Sequence, residues 1–213
     1  MTYYHPCKND QGKPVCLDSP HLSTHLENLN QADLLATVTP NAPMPATVNG
    51  LAIASWKQAP TDVAGWEQLV QAADFDEPPR MAVAGKALAS GAVVVESDGR
   101  VWVVSPSNKF GGYTNTFPKG KLDPEEKISL RANALKEVFE ESGLHVALTK
   151  FLCDLVRSTS VTRYYVAQRV GGNPADMGWE TQAVHLVPVP QLKALVSHPN
   201  DQSILMALQN AQP

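Results

Sequence analysis

Glu137, Glu140 and Glu141 are the residues whose types and spacing most plainly carry chemistry in this chain. They stand at i, i+3 and i+4, so on a helix the three carboxylates share one face. Unpaired, they repel one another, and they lie near a helix C-terminus, where the dipole disfavours negative charge. Something cationic on that face relieves both effects. Ligands that are all oxygen suit Mg²⁺ or Mn²⁺ rather than zinc. The helix that must present them is legible around them. Ile128, Ala132, Leu135, Val138 and Phe139 recur at steps of three and four and form an apolar stripe, and Gly143 supplies the stop. Ser129 is the expected N-cap. A rival start is Asp123, which opens a D-P-x-E capping pattern with Pro124 and Glu126.

An acidic triplet by itself describes many solvated helix faces. Here it stands in a longer frame, Phe117 to Leu144, that resembles the signature of the Nudix hydrolases, G-x5-E-x7-R-E-U-x-E-E-x-G-U, with U a bulky aliphatic residue. Gly120 matches the first glycine, Glu137 the glutamate after the arginine, Glu140-Glu141 the acidic pair and Gly143 the last glycine. Val138 and Leu144 fill the aliphatic positions. Two departures stand out: Lys136 occupies the arginine position, and the interval from Gly120 to Lys136 is two residues longer than the signature. With Ser129 as the cap, the extra residues fall in the loop before the helix. Glu126 then keeps its distance from Gly120 but loses its distance from the helix, and should face solvent.

The resemblance implies an α/β/α sandwich with a mixed sheet over the second part of the chain, and a Mg²⁺-dependent hydrolase (Mn²⁺ the alternative) that cuts a P–O–P bridge. It also implies a metal site of Glu137, Glu140, Glu141 and the carbonyl of Gly120, with Lys136 holding a carboxylate from the side. The substrate class is a nucleoside diphosphate linked to a moiety X. Phe117-Pro118-Lys119-Gly120-Lys121 looks like the opening of branches acting on dinucleoside polyphosphates, diphosphoinositol phosphates or capped RNA. A nucleoside or dinucleoside polyphosphate is therefore the first reading, and ADP-ribose or a nucleotide sugar the second. A non-catalytic nucleotide-binding module is a rival of another class, disfavoured because all three glutamates are present.

Candidate substrate contacts come from the residues themselves. Lys119 and Lys121 flank Gly120 and suit phosphates, although loop lysines are usually just exposed. On the expected strand Val161–Val170, alternation puts Arg163, Tyr165 and Arg169 on one face and Tyr164 on the other. Arg163 could clamp a phosphate and Tyr165 could stack a base. Glu180, in a loop after Gly171-Gly172-Asn173-Pro174, is the candidate for a further ligand or a general base.

The 213 residues divide by texture. Residues 1–85 read as a proline-rich extension packed on the main domain, and residues 86–213 as the catalytic domain. Nine of the 17 prolines precede residue 84, a density that leaves room only for short elements. Leu34–Val38 and Leu51–Trp56 are expected strands flanking an Asn49-Gly50 turn, and Thr61 the N-cap of a helix to about Ala73. Further on, Ala92–Glu96 pairs with Val101–Val104 around Ser97-Asp98-Gly99. A glycine loop, Phe110–Tyr113, precedes the signature. Strands at Val146–Val156, Val161–Val170 and Gln182–Val187 follow it, then helices at Pro190–Val196 and Asn200–Gln209.

Net charge −4 argues against nucleic acid as the main partner, and no apolar run is long enough for a membrane. The opening Met1–Asp10 has no apolar leader. Three cysteines without one read as reduced thiols in a cytoplasm. His5, Cys7, Cys16 and His21 match no zinc spacing. The extension is also a candidate dimerisation element.

Overall fold

The computed structural model describes residues 2–19, 21–71, 73–107 and 112–211; Phe110 and Gly111 of the glycine loop lie outside them. Among these residues nine strands and four α-helices follow in the order β1 Ala36–Val38, β2 Thr47–Val48, β3 Leu51–Ala52, α1 Val63–Val70, β4 Ala87–Val95, β5 Val101–Pro106, β6 Lys119–Lys121, α2 Leu130–Ser142, β7 Leu144–Val156, β8 Ser160–Gly172, β9 Thr181–Val187, α3 Val189–Leu195 and α4 Pro199–Ala211. The main sheet runs β1-β9-β5-β4-β8-β7, with β6 also on β4. It is mixed: β4 and β8 are parallel, from Ala87 opposite Ser160 to Val95 opposite Gln168, and the other pairs are antiparallel.

Side-chain alternation sorts the sheet into two apolar faces. Ala92, Val94, Trp102, Val104, Tyr165 and Leu186 face one core with Ala132, Leu135 and Val138 of α2. Val93, Val101, Val103, Tyr164 and Val187 face the other, with Leu192 of α3 and Ile204, Leu205 and Leu208 of α4. Helices thus cover both faces of a mixed sheet, the α/β/α sandwich.

Local chemistry sets the ends of α2. Ser129 is extended at the N-cap, and its hydroxyl accepts from Ala132 N–H at 3.2 Å. The third helical residue is Ala132, so no glutamate closes the usual reciprocal box. Glu67 of α1 takes that part from outside, accepting from Ser129 N–H and, at 3.1 Å, from its hydroxyl. Gly143 ends the helix at φ 67°. Ser129→Ala loses both the cap and the Glu67 contact, and should cost about 1–2 kcal/mol in urea unfolding. Asp123→Ala, in a turn outside the helix, should stay within about 0.5 kcal/mol. Equal losses would mean that the helix starts earlier.

The first 85 residues meet this frame differently from the expectation in detail. Asn49-Gly50 does turn a hairpin, at φ 52° and 77°, but between Thr47–Val48 and Leu51–Ala52. Ala36–Val38 instead joins the main sheet beside β9. Asp62, not Thr61, caps α1, because its carboxylate reaches Gly65 N–H at 2.8 Å. The region makes little ladder of its own, and arginines supply donors to its carbonyls. Arg100 donates to Asn28, Leu29 and Leu34, Arg131 to Ala73 and Phe75, Arg163 to Pro78 and Pro79, and Arg169 to Val48 and Ala52. Coil that cannot pair its carbonyls in a sheet can be buried only with such donors.

A polar strip crosses the β1–β9–β5 seam. Ser105 Oγ donates to Asn115 Oδ1 at 2.6 Å, so it accepts from His185 Nε2–H at 2.8 Å. His185 Nδ1 then accepts from the Thr37 hydroxyl at 2.9 Å. Burial, helped by His21, pushes the His185 imidazole down to about 4. Between that value and the ordinary 6.5 the unfolded chain binds the proton that the folded chain refuses. Stability is therefore complete above about pH 6.5 and falls as pH drops toward 4, by on the order of 3 kcal/mol from this residue. Melting temperature against pH checks it, since His185→Gln should flatten the slope in that window. An unchanged slope would assign the acid sensitivity elsewhere.

Candidate active site

Two cavities meet beside α2. One, of about 580 Å³, is lined by Glu137, Glu140, Glu141, Glu180, Asp10 and Trp179 among others. The second, of about 630 Å³, is lined by Lys119, Tyr113, Arg157, Thr159, His198 and Asn200 among others. Gly120, Lys121, Glu141 and Glu180 line both and form the junction.

The glutamates are placed by backbone on both sides. Strand β6 runs across the face of α2, and Lys119 N–H donates to Glu141 at 3.1 Å. Gly120 leaves room for a side chain of the helix: a Cβ there would land on the Glu137 carboxylate. Asn133, one turn before, steadies the same point, donating from Nδ2 to Ser90 Oγ at 3.0 Å and to the Gly120 carbonyl at 3.3 Å. That carbonyl keeps a second lone pair. From below, Trp56 and Trp66 of the first 85 residues pack on Phe139 and fix the helix against them. Glu180 is tied to α2 through Gly178, whose N–H caps the Glu140 carbonyl at 2.8 Å, where a side chain at 178 would not fit.

Burial and like charge act together on these acids. Burial, then Glu141 and Glu140, push Glu137 up to about 9. Burial pushes Glu141 up to about 7 against the pull of Lys119. Glu140 and Glu180 are raised as well, first by burial and then by neighbouring carboxylates that include Asp10. Lys136 is the local cation, and its ammonium contacts Glu126 at 3.5 Å. Glu126 is thus half-exposed and leans on Lys136 across the inserted loop, instead of facing solvent outright.

Sequence reasoning put Arg163 and Tyr165 at the substrate. The structure does not bring them to either cavity. Arg163 is 4% exposed and forks onto Asp154 at 2.8 and 2.7 Å, with Glu77 and two proline carbonyls taking its other donors. The Tyr165 hydroxyl donates to Glu77 at 2.9 Å, and Phe75 covers its ring. Alternation gave the right face, but that face is filled by residues 73–79. Lys121 and Glu180 do line the junction, and Lys119 lines the 630 Å³ cavity beside it.

The structure also gathers residues that sequence reasoning left out. Asp10, at the tip of an N-terminal hairpin, accepts from Trp179 Nε1 at 3.1 Å beside Glu140 and Glu180. Tyr113 stacks on His198 at 3.8 Å, and Asn200 donates to its hydroxyl at 3.0 Å. Arg157 contacts the same hydroxyl and pairs with Asp201 at 2.7 Å. The one usable signal was position: Arg157-Ser158-Thr159-Ser160 is a polar link between two expected strands, and such links carry sites.

Comparison with known proteins now decides the family. The model of the NUDIX domain matches residues 85–208, more than half of the chain. The chain belongs to the Nudix family. No curated protein matches it. Similar solved structures include a NUDIX hydrolase from Nitrosomonas europaea, at 16% identity over 59% of this chain and 89% of that one, with TM-score 0.49. An ADP-ribose pyrophosphatase from Streptococcus suis shares 20% over 60% and 92%, with TM-score 0.48. An Ap4A hydrolase from C. elegans shares 16% over 58% and 96%, with TM-score 0.47. This Nudix hydrolase has, among its described residues, no helix long and apolar enough to cross a membrane.

Proposed function

We propose that this Nudix hydrolase cleaves the P–O–P bridge of a nucleoside or dinucleoside polyphosphate with Mg²⁺. The observation that carries the reading is one acidic cavity opening directly into a second that carries lysines and an arginine. ADP-ribose or a nucleotide sugar is the second reading; it needs fewer cations beyond the scissile bridge. A module that binds without cutting would have no use for three recessed carboxylates, Glu137, Glu140 and Glu141, with Glu180 beside them, all raised by burial and by neighbouring acids.

The donor set fits a hard divalent cation. Burial and like charge raise Glu137 and Glu141, so their ionised forms lack compensation that a cation would supply, and Glu137 packs against Gly120 where a side chain would not fit. Among the described residues, no three His, Cys, Asp or Glu side chains already converge as a cage. Mg²⁺ does not require one, because it keeps several waters and takes one or two carboxylates plus substrate phosphates. In this reading Glu137, Glu140 and Glu141 hold the ion, with the Gly120 carbonyl beside them. When bound, such an ion neutralises diphosphate oxygens and acidifies a water. The chain does the rest. Lys119 and Lys121 orient phosphates at the junction, Lys136 offsets charge behind Glu140, and Glu180 takes up a proton at the rim.

A panel of nucleotides incubated with Mg²⁺ or Mn²⁺, with products separated by chromatography, tests the reading. Polyphosphates should be cut first and fastest. Absence of P–O–P cleavage across the panel with either metal would refute it.

A further inference from the structure

We propose that the N-terminal hairpin, residues 3–17, is an arm that closes on the acidic cavity when a divalent cation is held there, with Asp10 as the residue that answers to it. This rests on the Mg²⁺ reading of that cavity. The arm lies wholly before the NUDIX match at residues 85–208, so the family frame does not supply it.

The arm is self-built and loosely tied. Its two sides pair through His5 N–H to Val15 O and Leu17 N–H to Tyr3 O, both at 2.9 Å. Asn9 builds the tip: its side-chain oxygen accepts from Gln11 and Lys13 N–H at 3.1 and 2.9 Å, and Gly12 turns the chain at φ 72°. Of residues 2–19 only His5 is buried, and none joins either apolar core. The base is held by Asp18 N–H to Ser107 O at 3.3 Å and Ser19 N–H to Gln182 Oε1 at 3.2 Å. Among the described residues the tip makes one hydrogen bond to the body, from Trp179 Nε1–H to Asp10 at 3.1 Å. An element with so little burial opens locally far more often than the whole fold does.

The charges decide what closes it. Asp10, Glu137, Glu140, Glu141, Asp176 and Glu180 line the cavity, against Lys121 and Lys136. Asp10 is the acid that the arm carries in. Glu180 is raised by burial and then by Asp10, and Glu140 by burial and then by acids that include Asp10. Without a cation, closure therefore brings like charges together, and a single exposed hydrogen bond from Trp179 offsets the cost. A divalent ion among the glutamates would neutralise them and leave Asp10 attracted to the site rather than repelled. The arm is thus looser in the metal-free chain and clasped in the loaded one, with Trp179 and Asp10 walling the mouth.

Limited trypsin digestion of the full chain, read by mass spectrometry, reports on the arm with no nucleotide present. Lys8 is exposed in it and precedes Asn9, whereas Lys13 precedes proline and resists the protease. Saturating Mg²⁺ or Mn²⁺ should slow cleavage after Lys8 about fivefold, the worth of one modest polar contact. Cleavage after Lys57, exposed in a turn of the extension, should not change. Asp10→Asn keeps an acceptor for Trp179 and drops the charge, so it should slow cleavage in EDTA and no longer respond to metal. Trp179→Phe should speed cleavage in EDTA and keep the metal response. Wild-type cleavage after Lys8 that ignores metal, an undiminished response in Asp10→Asn, or equal slowing at Lys57 overturns the arm. Titration calorimetry with Mn²⁺ separates the two readings: heat without protection sinks the arm alone, and no heat sinks the metal reading and the arm together.

Discussion

Glu140→Gln and Glu141→Gln should each lower kcat by about two orders of magnitude or more at saturating Mg²⁺. Each change keeps the shape of the side chain and removes the charge that a divalent ion needs. Glu141 also accepts from Lys119 N–H, so its variant should additionally loosen β6 at the junction. Stability should move the other way. Without metal these acids are crowded and partly desolvated, and one fewer charge relieves repulsion, so the apo melting temperature should hold or rise. Turnover near wild type in both variants would show that the metal is held elsewhere. A steep fall in apo melting temperature would make the glutamates structural.

Gly120→Ala should separate catalysis from folding more sharply still. The new methyl would occupy the space of the Glu137 carboxylate, the far end of a flexible side chain that can swing away. Stability should therefore fall by only about 1 kcal/mol. The displaced carboxylate should cost about a hundredfold in kcat, as misplacement by an ångström at a reacting centre does. Gly91→Ala is the contrast. There the methyl would meet the carbonyl of Pro118, which is backbone and cannot swing, so about 3 kcal/mol of stability should go. Kinetics and urea melts on the two variants settle the matter. If Gly120→Ala unfolds the protein as badly as Gly91→Ala, the glycine serves packing and not the site.

How much of this was legible beforehand depended on how local the cause was. Both caps of α2 could be read, because a serine hydroxyl and a left-handed glycine act within a few residues of themselves. The two faces of the sheet could be read for the same reason, as alternation needs only neighbours. Glu67 could not, because it closes the cap of α2 from 62 residues away. Arg163 failed in an instructive way. A guanidinium beside a tyrosine suits a phosphate and a base as well as it suits a glutamate and two proline carbonyls, and only the tertiary fold chooses. The 630 Å³ cavity was legible only in part: Lys119, Lys121, Glu141 and Glu180 could be named beforehand, whereas Tyr113, Arg157 and His198 come from three separate stretches with no shared pattern.

The four arginines that hold the first 85 residues have a consequence for the order in which the molecule is made. Arg169 donates to Val48 across 121 positions of chain, and Arg163 to Pro78 across 85. The extension leaves the ribosome first, yet its carbonyls must wait for donors translated much later, so it stays solvated until β8 is complete. Its tryptophans and α1 then arrive on a catalytic helix whose N-terminus they finish. Assembly of the site should therefore come late in folding rather than early. A chain stalled before residue 170 should be open to proteases along its whole first third, and full protection should wait for β9, because Ala36–Val38 pairs with Val184–Leu186.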